Sequence, residues 1–129
     1  MATISTGIIT DSSLVNLKEI SLNDVKSETR SFFVQGEEII QAFQTIRDQV
    51  IFTNKRVFVI NVQGITGKKV SYFSYPYSKV QYYGVETAGF LDIDSELILG
   101  FSNGAHLQFD FKSQVDIKKI CAEISKYVL

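Results

Sequence analysis

From Glu37 onward the chain alternates. Ile39, Gln41, Phe43 and Thr45 fall on one parity and Glu38, Ile40, Ala42 and Gln44 on the other, the period-2 signature of a strand. Two denser runs follow, Gln49–Thr53 and Arg56–Val62, separated by the short polar pair Asn54-Lys55. β-branched and aromatic residues dominate both, so they read as consecutive antiparallel strands. Gln63-Gly64-Ile65-Thr66-Gly67 is a glycine-bearing loop, and Lys69–Tyr75 alternates again. The single proline, Pro76, stands where that strand should end. Val80–Glu86, Glu96–Phe101 and Ala105–Phe111 complete the set; Thr87-Ala88-Gly89 follows the first of these, and Asn103-Gly104 marks a tight turn between the last two. About seven strands spaced roughly a dozen residues apart predict a sandwich or barrel.

Both ends depart from this pattern. Residues 1–13 are rich in Thr, Ser, Ile and Gly and are expected to fray. Asp11 to Arg30 suggests short helices, with Ser21 as an N-cap, Asp24 in an imperfect capping box, and Gly36 as punctuation. At the other end Ile117, Ile120, Cys121, Ile124, Tyr127 and Val128 recur at helical spacing, with Lys118, Lys119, Glu123 and Lys126 opposite. Ser113 is the expected N-cap, and Asp116 suits the positive end of the helix dipole. The stripe must be buried on the sheet, most economically at an open end or corner. The fold class is therefore mainly β with helices (α+β): a seven-stranded β-barrel or sandwich capped by a C-terminal α-helix, with a short N-terminal helix.

Composition narrows the function classes. The chain has 129 residues, 45% of them apolar, and a formal charge of −1. That suits one folded domain rather than disorder, and gives no global attraction to nucleic acid or anionic lipid. Charge is uneven, at three basic and six acidic residues over 1–40, six of each over 41–111, and four basic and two acidic over 112–129. The one cysteine, Cys121, has no disulfide or CxxC partner, which points to a reducing cytosol. The N-terminus shows no secretory pattern, and no apolar run approaches membrane-spanning length.

An ordered set of segments carries a resemblance. Gly36-Glu37-Glu38 leads into Ala42-Phe43, Ile46-Arg47-Asp48 and Phe52-Thr53-Asn54-Lys55-Arg56. Then come Gln63-Gly64-Ile65-Thr66-Gly67-Lys68-Lys69, Val85-Glu86-Thr87-Ala88-Gly89, Asp92-Ile93-Asp94-Ser95-Glu96-Leu97, Val115-Asp116-Ile117 and Tyr127-Val128-Leu129. Together these resemble the bacterial pleckstrin-homology-like (PH-like) family, formerly a family of unknown function. The resemblance covers roughly residues 20–129, leaving 1–19 as an N-terminal extension, partly helical or frayed. It implies a PH-like β-barrel capped by a helix, a homo-oligomeric, ring-like assembly and no known catalytic residues. PH-like barrels serve lipids, peptides or neither, so fold alone does not name the ligand.

Candidate chemistry divides into three groups. Tyr72, Tyr75, Tyr77, Tyr82 and Tyr83, with Phe73, concentrate on two strands. Alternate members should face outward as an interface or pack across strands, and both readings stand. Asp92, Asp94 and Glu96 share one face of an extended segment but miss the calcium-loop spacing, so no metal is expected. With Arg47 and Asp48 they are candidate charge pairs, the acids meeting Arg47, Lys55 or Arg56 on neighbouring strands. Lys55, Arg56, Lys68 and Lys69, together with Lys79, are candidates for an anionic ligand, although Arg47 on the first connection is neutralised by Asp48. Gly64-Ile65-Thr66-Gly67-Lys68-Lys69 lacks the spacing of a phosphate loop and opens a strand; a hairpin turn fits it better. His106 is the only histidine and has no motif around it, and Cys121 lies on the apolar helix stripe, so nothing points to catalysis or a cofactor. The expected protein is a cytoplasmic, non-catalytic interaction module that self-associates, with a protein partner possible and nucleic acid excluded. The alternative is peripheral membrane or lipid-headgroup binding through Lys55, Arg56, Lys68, Lys69 and the basic C-terminal helix.

Overall fold

The computed structural model describes residues 16–86, 94–112 and 115–129. Eight strands run in chain order: β1 (Lys18–Glu19), β2 (Ile39–Gln44), β3 (Gln49–Thr53), β4 (Arg56–Gln63), β5 (Lys69–Pro76), β6 (Val80–Glu86), β7 (Ser95–Phe101) and β8 (His106–Phe111). Helix α1 (Ile117–Val128) closes the chain. β1 to β5 form a five-stranded antiparallel meander and β6 to β8 a three-stranded one. The two sheets stack as a sandwich and do not close into a barrel, so of the two predicted architectures the sandwich is the one adopted. The seven predicted strands are β2 to β8; β1 is an eighth that two residues are too few to announce.

The alternation of Glu37–Phe111 explains the packing. Phe43, Val50, Phe52, Val57 and Val59 face inward from the large sheet and meet Leu97, Leu99, Leu107, Phe109 and Phe111 of the small one. Rings interlock there: Phe43 and Phe111 have centroids 4.7 Å apart, and Phe52 and Phe109 meet edge-on at 5.4 Å. α1 seals one end. It buries Ile117, Ile120 and Ile124 and packs against both β2 and β6, one strand from each sheet. The predicted cap Ser113 lies outside the described residues; Asp116 occupies the N-cap position without a side-chain hydrogen bond.

The opposite parity of the large sheet is also buried. Ala42, Ile51, Phe58 and Ile60 form a second core with Val25, flanked by Ile20, Phe33, Ile39, Val70 and Tyr72. Two short 3-10 turns, Leu22–Asp24 and Ser27–Phe32, lie across this outer face. They are the short helices expected there, and Ser21 caps the first by accepting from Asn23 N–H at 3.2 Å. Gln49 pins this cover: its Oε1 accepts from Lys26 N–H at 3.0 Å and its Nε2 donates to Asp24 carbonyl at 2.9 Å. The sheets are also joined backbone to backbone. Leu17 pairs in parallel with Phe111, its N–H donating to Asp110 carbonyl and its carbonyl accepting from Lys112 N–H. The next two residues, β1, pair with β2. Leu17–Glu19, placed in the extension by the sequence, thus takes part in both sheets.

Candidate interaction surfaces

A sandwich leaves faces and edges. The large sheet has no free face, since both sides are covered. The small sheet's outward face is open, and the register lays out its residues in rows. Tyr82 stands opposite Gly100 and His106, Gly84 opposite Ile98 and Gln108, and Glu86 opposite Glu96 and Asp110. The last row sets three carboxylates abreast. Gln108 Nε2 donates to Glu96 Oε1 at 2.9 Å and to Asp110 Oδ1 at 3.1 Å. Hydrogen bonding with Glu86, then with Asp110, pushes the Glu96 carboxyl up to about 7, because two adjacent carboxylates favour a shared proton over a third charge. Like charges set directly opposite on neighbouring strands repel, which is what the raised pKa of Glu96 relieves.

The five tyrosines separate by environment. Tyr77 is fully buried and its hydroxyl donates to Thr53 carbonyl at 2.7 Å, which makes it a core residue rather than a contact residue. Tyr72 faces the outer cover and lies 5.1 Å from Phe32, centroid to centroid. Tyr75 faces inward and packs on Phe101 at 5.8 Å. Tyr83 is half-buried, its hydroxyl 2.9 Å from Ser125 Oγ of α1. Only Tyr82 of the five is exposed, at 56%, and its ring already lies over Gly100, where it would clash with any added Cβ. The parity of the strands, not their aromatic content, decides this.

The charged candidates act mostly within the chain. Arg47 donates to Gly64 carbonyl at 2.6 Å, and Asp48 Oδ1 accepts from Val62 N–H at 2.8 Å. These two bonds tie the β2–β3 turn to the end of β4 and to the β4–β5 loop. Asp94 meets Lys112 at 4.0 Å; Asp92 lies outside the described residues. Arg56 takes Glu37, which is not one of the predicted acids, as its ion-pair partner. Its Nε and Nη2 fork onto Glu37 Oε2 and Oε1 at 2.9 and 2.8 Å, its Nη1 reaches Ser74 Oγ, its Nη2 reaches Phe32 carbonyl, and the guanidinium lies 4.5 Å over Phe58. Glu37 was not singled out from the sequence. Burial raises its pKa, but hydrogen bonds from Arg56, Val34 N–H and Thr53 Oγ1, with the charge of Arg56, outweigh that and leave it lowered. Arg56 is therefore committed to structure.

The remaining lysines do not converge. Lys55 sits on the β3–β4 turn, at the opposite end of β4 from Lys68 and Lys69. An eight-residue strand separates them by about 25 Å. Lys68 and Lys69 instead share their end with Arg47 and with two isoleucines. Ile46 is 95% and Ile65 104% exposed, on the two turns that Arg47 ties together.

Among the described residues four strands border a sheet: β5, eight residues long, is hydrogen-bonded only to β4, β6 only to β7, β8 only to β7 apart from its bridge to Leu17, and the two-residue β1 only to β2. Among the described residues no group of three or more His, Cys, Asp or Glu is arranged to hold a metal ion, and no helix is long and apolar enough to cross a membrane.

The sequence profile of the bacterial PH domain family matches residues 8–128. The chain is 38% identical over 120 residues to the uncharacterized protein YjqA of Bacillus subtilis (strain 168), spanning 88% of this chain and 95% of that protein. Two crystal structures are similar. One is a DUF1696-family protein with a pleckstrin-homology domain from Shewanella loihica PV-4, at 38% identity and a TM-score of 0.73 over 89% of this chain and 99% of that one. The other is a pleckstrin-homology domain from Shewanella amazonensis SB2B, at 38% identity and a TM-score of 0.60 over 87% and 91%. This chain belongs to the bacterial PH domain family.

Proposed function

We propose, from the premise that this chain is a bacterial PH domain, that it is a non-catalytic interaction module that assembles with copies of itself through strand edges. The observation that carries this reading is β5: eight residues with one side unpaired among the described residues. An open edge is a template for another strand. The alternative routes are poorer. The large sheet has no bare face, and the bare face of the small sheet carries three carboxylates in a row. The same reading keeps Cys121 reduced in the cytosol, where burial raises its thiol pKa and quiets it. Light scattering coupled to size exclusion tests the assembly. A multi-subunit mass that persists in high salt is expected, because main-chain pairing is little screened. A monomer at micromolar concentration would overturn it.

A second reading rests on the Ile46 and Ile65 tips. Two bare isoleucines beside Arg47, Lys68 and Lys69 suit a shallow contact with an anionic membrane surface. Lys55 and Arg56 drop out of this version, one by distance and the other by its bond to Glu37. Salt-sensitive co-sedimentation with phosphatidylglycerol vesicles, lost in Ile46→Ser/Ile65→Ser, is the expected result. Equal pelleting with and without vesicles at low salt would remove the reading.

A further inference from the structure

At the end of the sandwich away from those tips, the first residue of β6, Val80, pairs with Phe101 of β7, and a pocket opens beside the β7–β8 turn. Its volume is about 340 Å³, and it is lined by Tyr75, Lys79, Phe101, Ser102, Asn103, Ala105 and Leu107. That is the small end of the range for ligand sites, the size for a ligand with one ring or a short branched chain. The walls are Tyr75, Phe101, Ala105 and Leu107, apolar over most of their surface.

The polar groups share one character. Among the described residues Lys79 is the only charged one in the lining, and it makes no ion pair. Asn103 Oδ1 accepts from Ala105 N–H at 3.0 Å, which fixes the amide and leaves Nδ2 as its free, donating end. Ser102 adds a hydroxyl. Tyr75 has its hydroxyl without a hydrogen-bond partner among the described residues, and burial pushes its pKa up to about 12, so it stays a donor. Among the described residues no carboxylate lines the pocket. Gly104, at a φ of 86°, lets the Asn103-Gly104 turn close tightly enough to hold these groups at the mouth.

The geometry points to a binding site for a small amphipathic anion: an aromatic or branched apolar body seated between Tyr75, Phe101 and Leu107, with a carboxylate or phosphate head met by Lys79, Ser102 and Asn103. An apolar floor with a few donors and one cation in its lining selects that chemistry over a neutral or cationic ligand. The site lies at the opposite end of β5 from the isoleucine tips, with Tyr75 of β5 as one wall.

The test uses the full chain, isotope-labelled, titrated with phenylacetate, phenyl phosphate and uncharged benzyl alcohol while backbone amide shifts are followed. Saturable shifts confined to Lys79, Phe101 and Ser102–Ala105 are expected from at least one anion. Affinity should fall in the millimolar range that a ligand of this size allows. Benzyl alcohol should bind roughly tenfold more weakly, and Lys79→Ala should bring the anion down to the level of the alcohol. Ala105→Phe should fill the floor and abolish binding of all three. Lys79 is exposed, so its variant keeps the fold if Ala105→Phe does not. Which anion binds more tightly distinguishes carboxylate from phosphate. No saturable shifts from either anion, shifts centred elsewhere, or an anion affinity unmoved by Lys79→Ala would overturn the assignment.

Discussion

At the scale of single residues, the informative signals in the sequence were local and the missed ones were not. Asn103-Gly104, Pro76 and Ser21 each act on their own stretch of backbone, and each sits where its chemistry predicts. The Glu37–Arg56 pair joins residues 19 apart in sequence, and no pattern of spacing announces it. Its consequence is a pH dependence. The folded pKa of Glu37 is lowered, so its stabilisation is present above the unfolded value near 4.5 and is lost as pH falls through the folded value. Glu37→Gln should cost about 3 kcal/mol near neutral pH, leaving Arg56 half-partnered, and less in acid, as measured by chemical denaturation. Glu96 has the opposite sign. Its pKa is raised to about 7, so the favourable contribution is full below about 4.5 and is lost as pH rises towards 7. Glu96→Gln should flatten melting temperature across that window and raise it above pH 7, while keeping the Gln108 hydrogen bond. A variant that melts like the wild type at every pH would show the carboxylate row to be fully solvated.

At the scale of elements, the strand boundaries were legible because β-branched runs and turn residues agree. What escaped was the use of the second parity in β3 and β4. Ile51, Phe58 and Ile60 are apolar on the side that a simple sandwich would expose, and the continuous run Val50-Ile51-Phe52 is the trace of a strand buried on both faces. The cover over them, residues 20–37, carries weak periodicity because 3-10 turns are too short to show any. Its anchor is Phe33, stacked on Phe58 with centroids 5.9 Å apart. Phe33→Ala should destabilise the fold by about 2 kcal/mol, less than a fully buried ring, and Phe32→Ala by less again, since Phe32 is nearly half exposed. Denaturation midpoints of the two variants check the order.

At the scale of the whole molecule, coverage decides what is left to bind. Among the described residues, two cores, a helix across one end and a cover over one face leave the small sheet's acidic face, the edges of β5, β6 and β8, the isoleucine tips and the pocket by the β7–β8 turn. The tyrosines marked out by the sequence are largely absent from that inventory, since a strand shows one parity outward and four of the five are at least half-buried. If assembly runs through β5, its amide protons facing away from β4 should exchange slowly in the assembled state and fast after dilution. Those facing β4 should be slow in both. Uniform protection along β5 at all concentrations would place the contact elsewhere.

The seam at Leu17–Glu19 has a mechanical meaning. Three consecutive residues are bonded first to β8 and then to β2, so tension entering the domain through the chain before Leu17 divides between the two sheets. The bond to β8 is a single parallel bridge of two hydrogen bonds, and the bond to β2 a two-residue antiparallel pair.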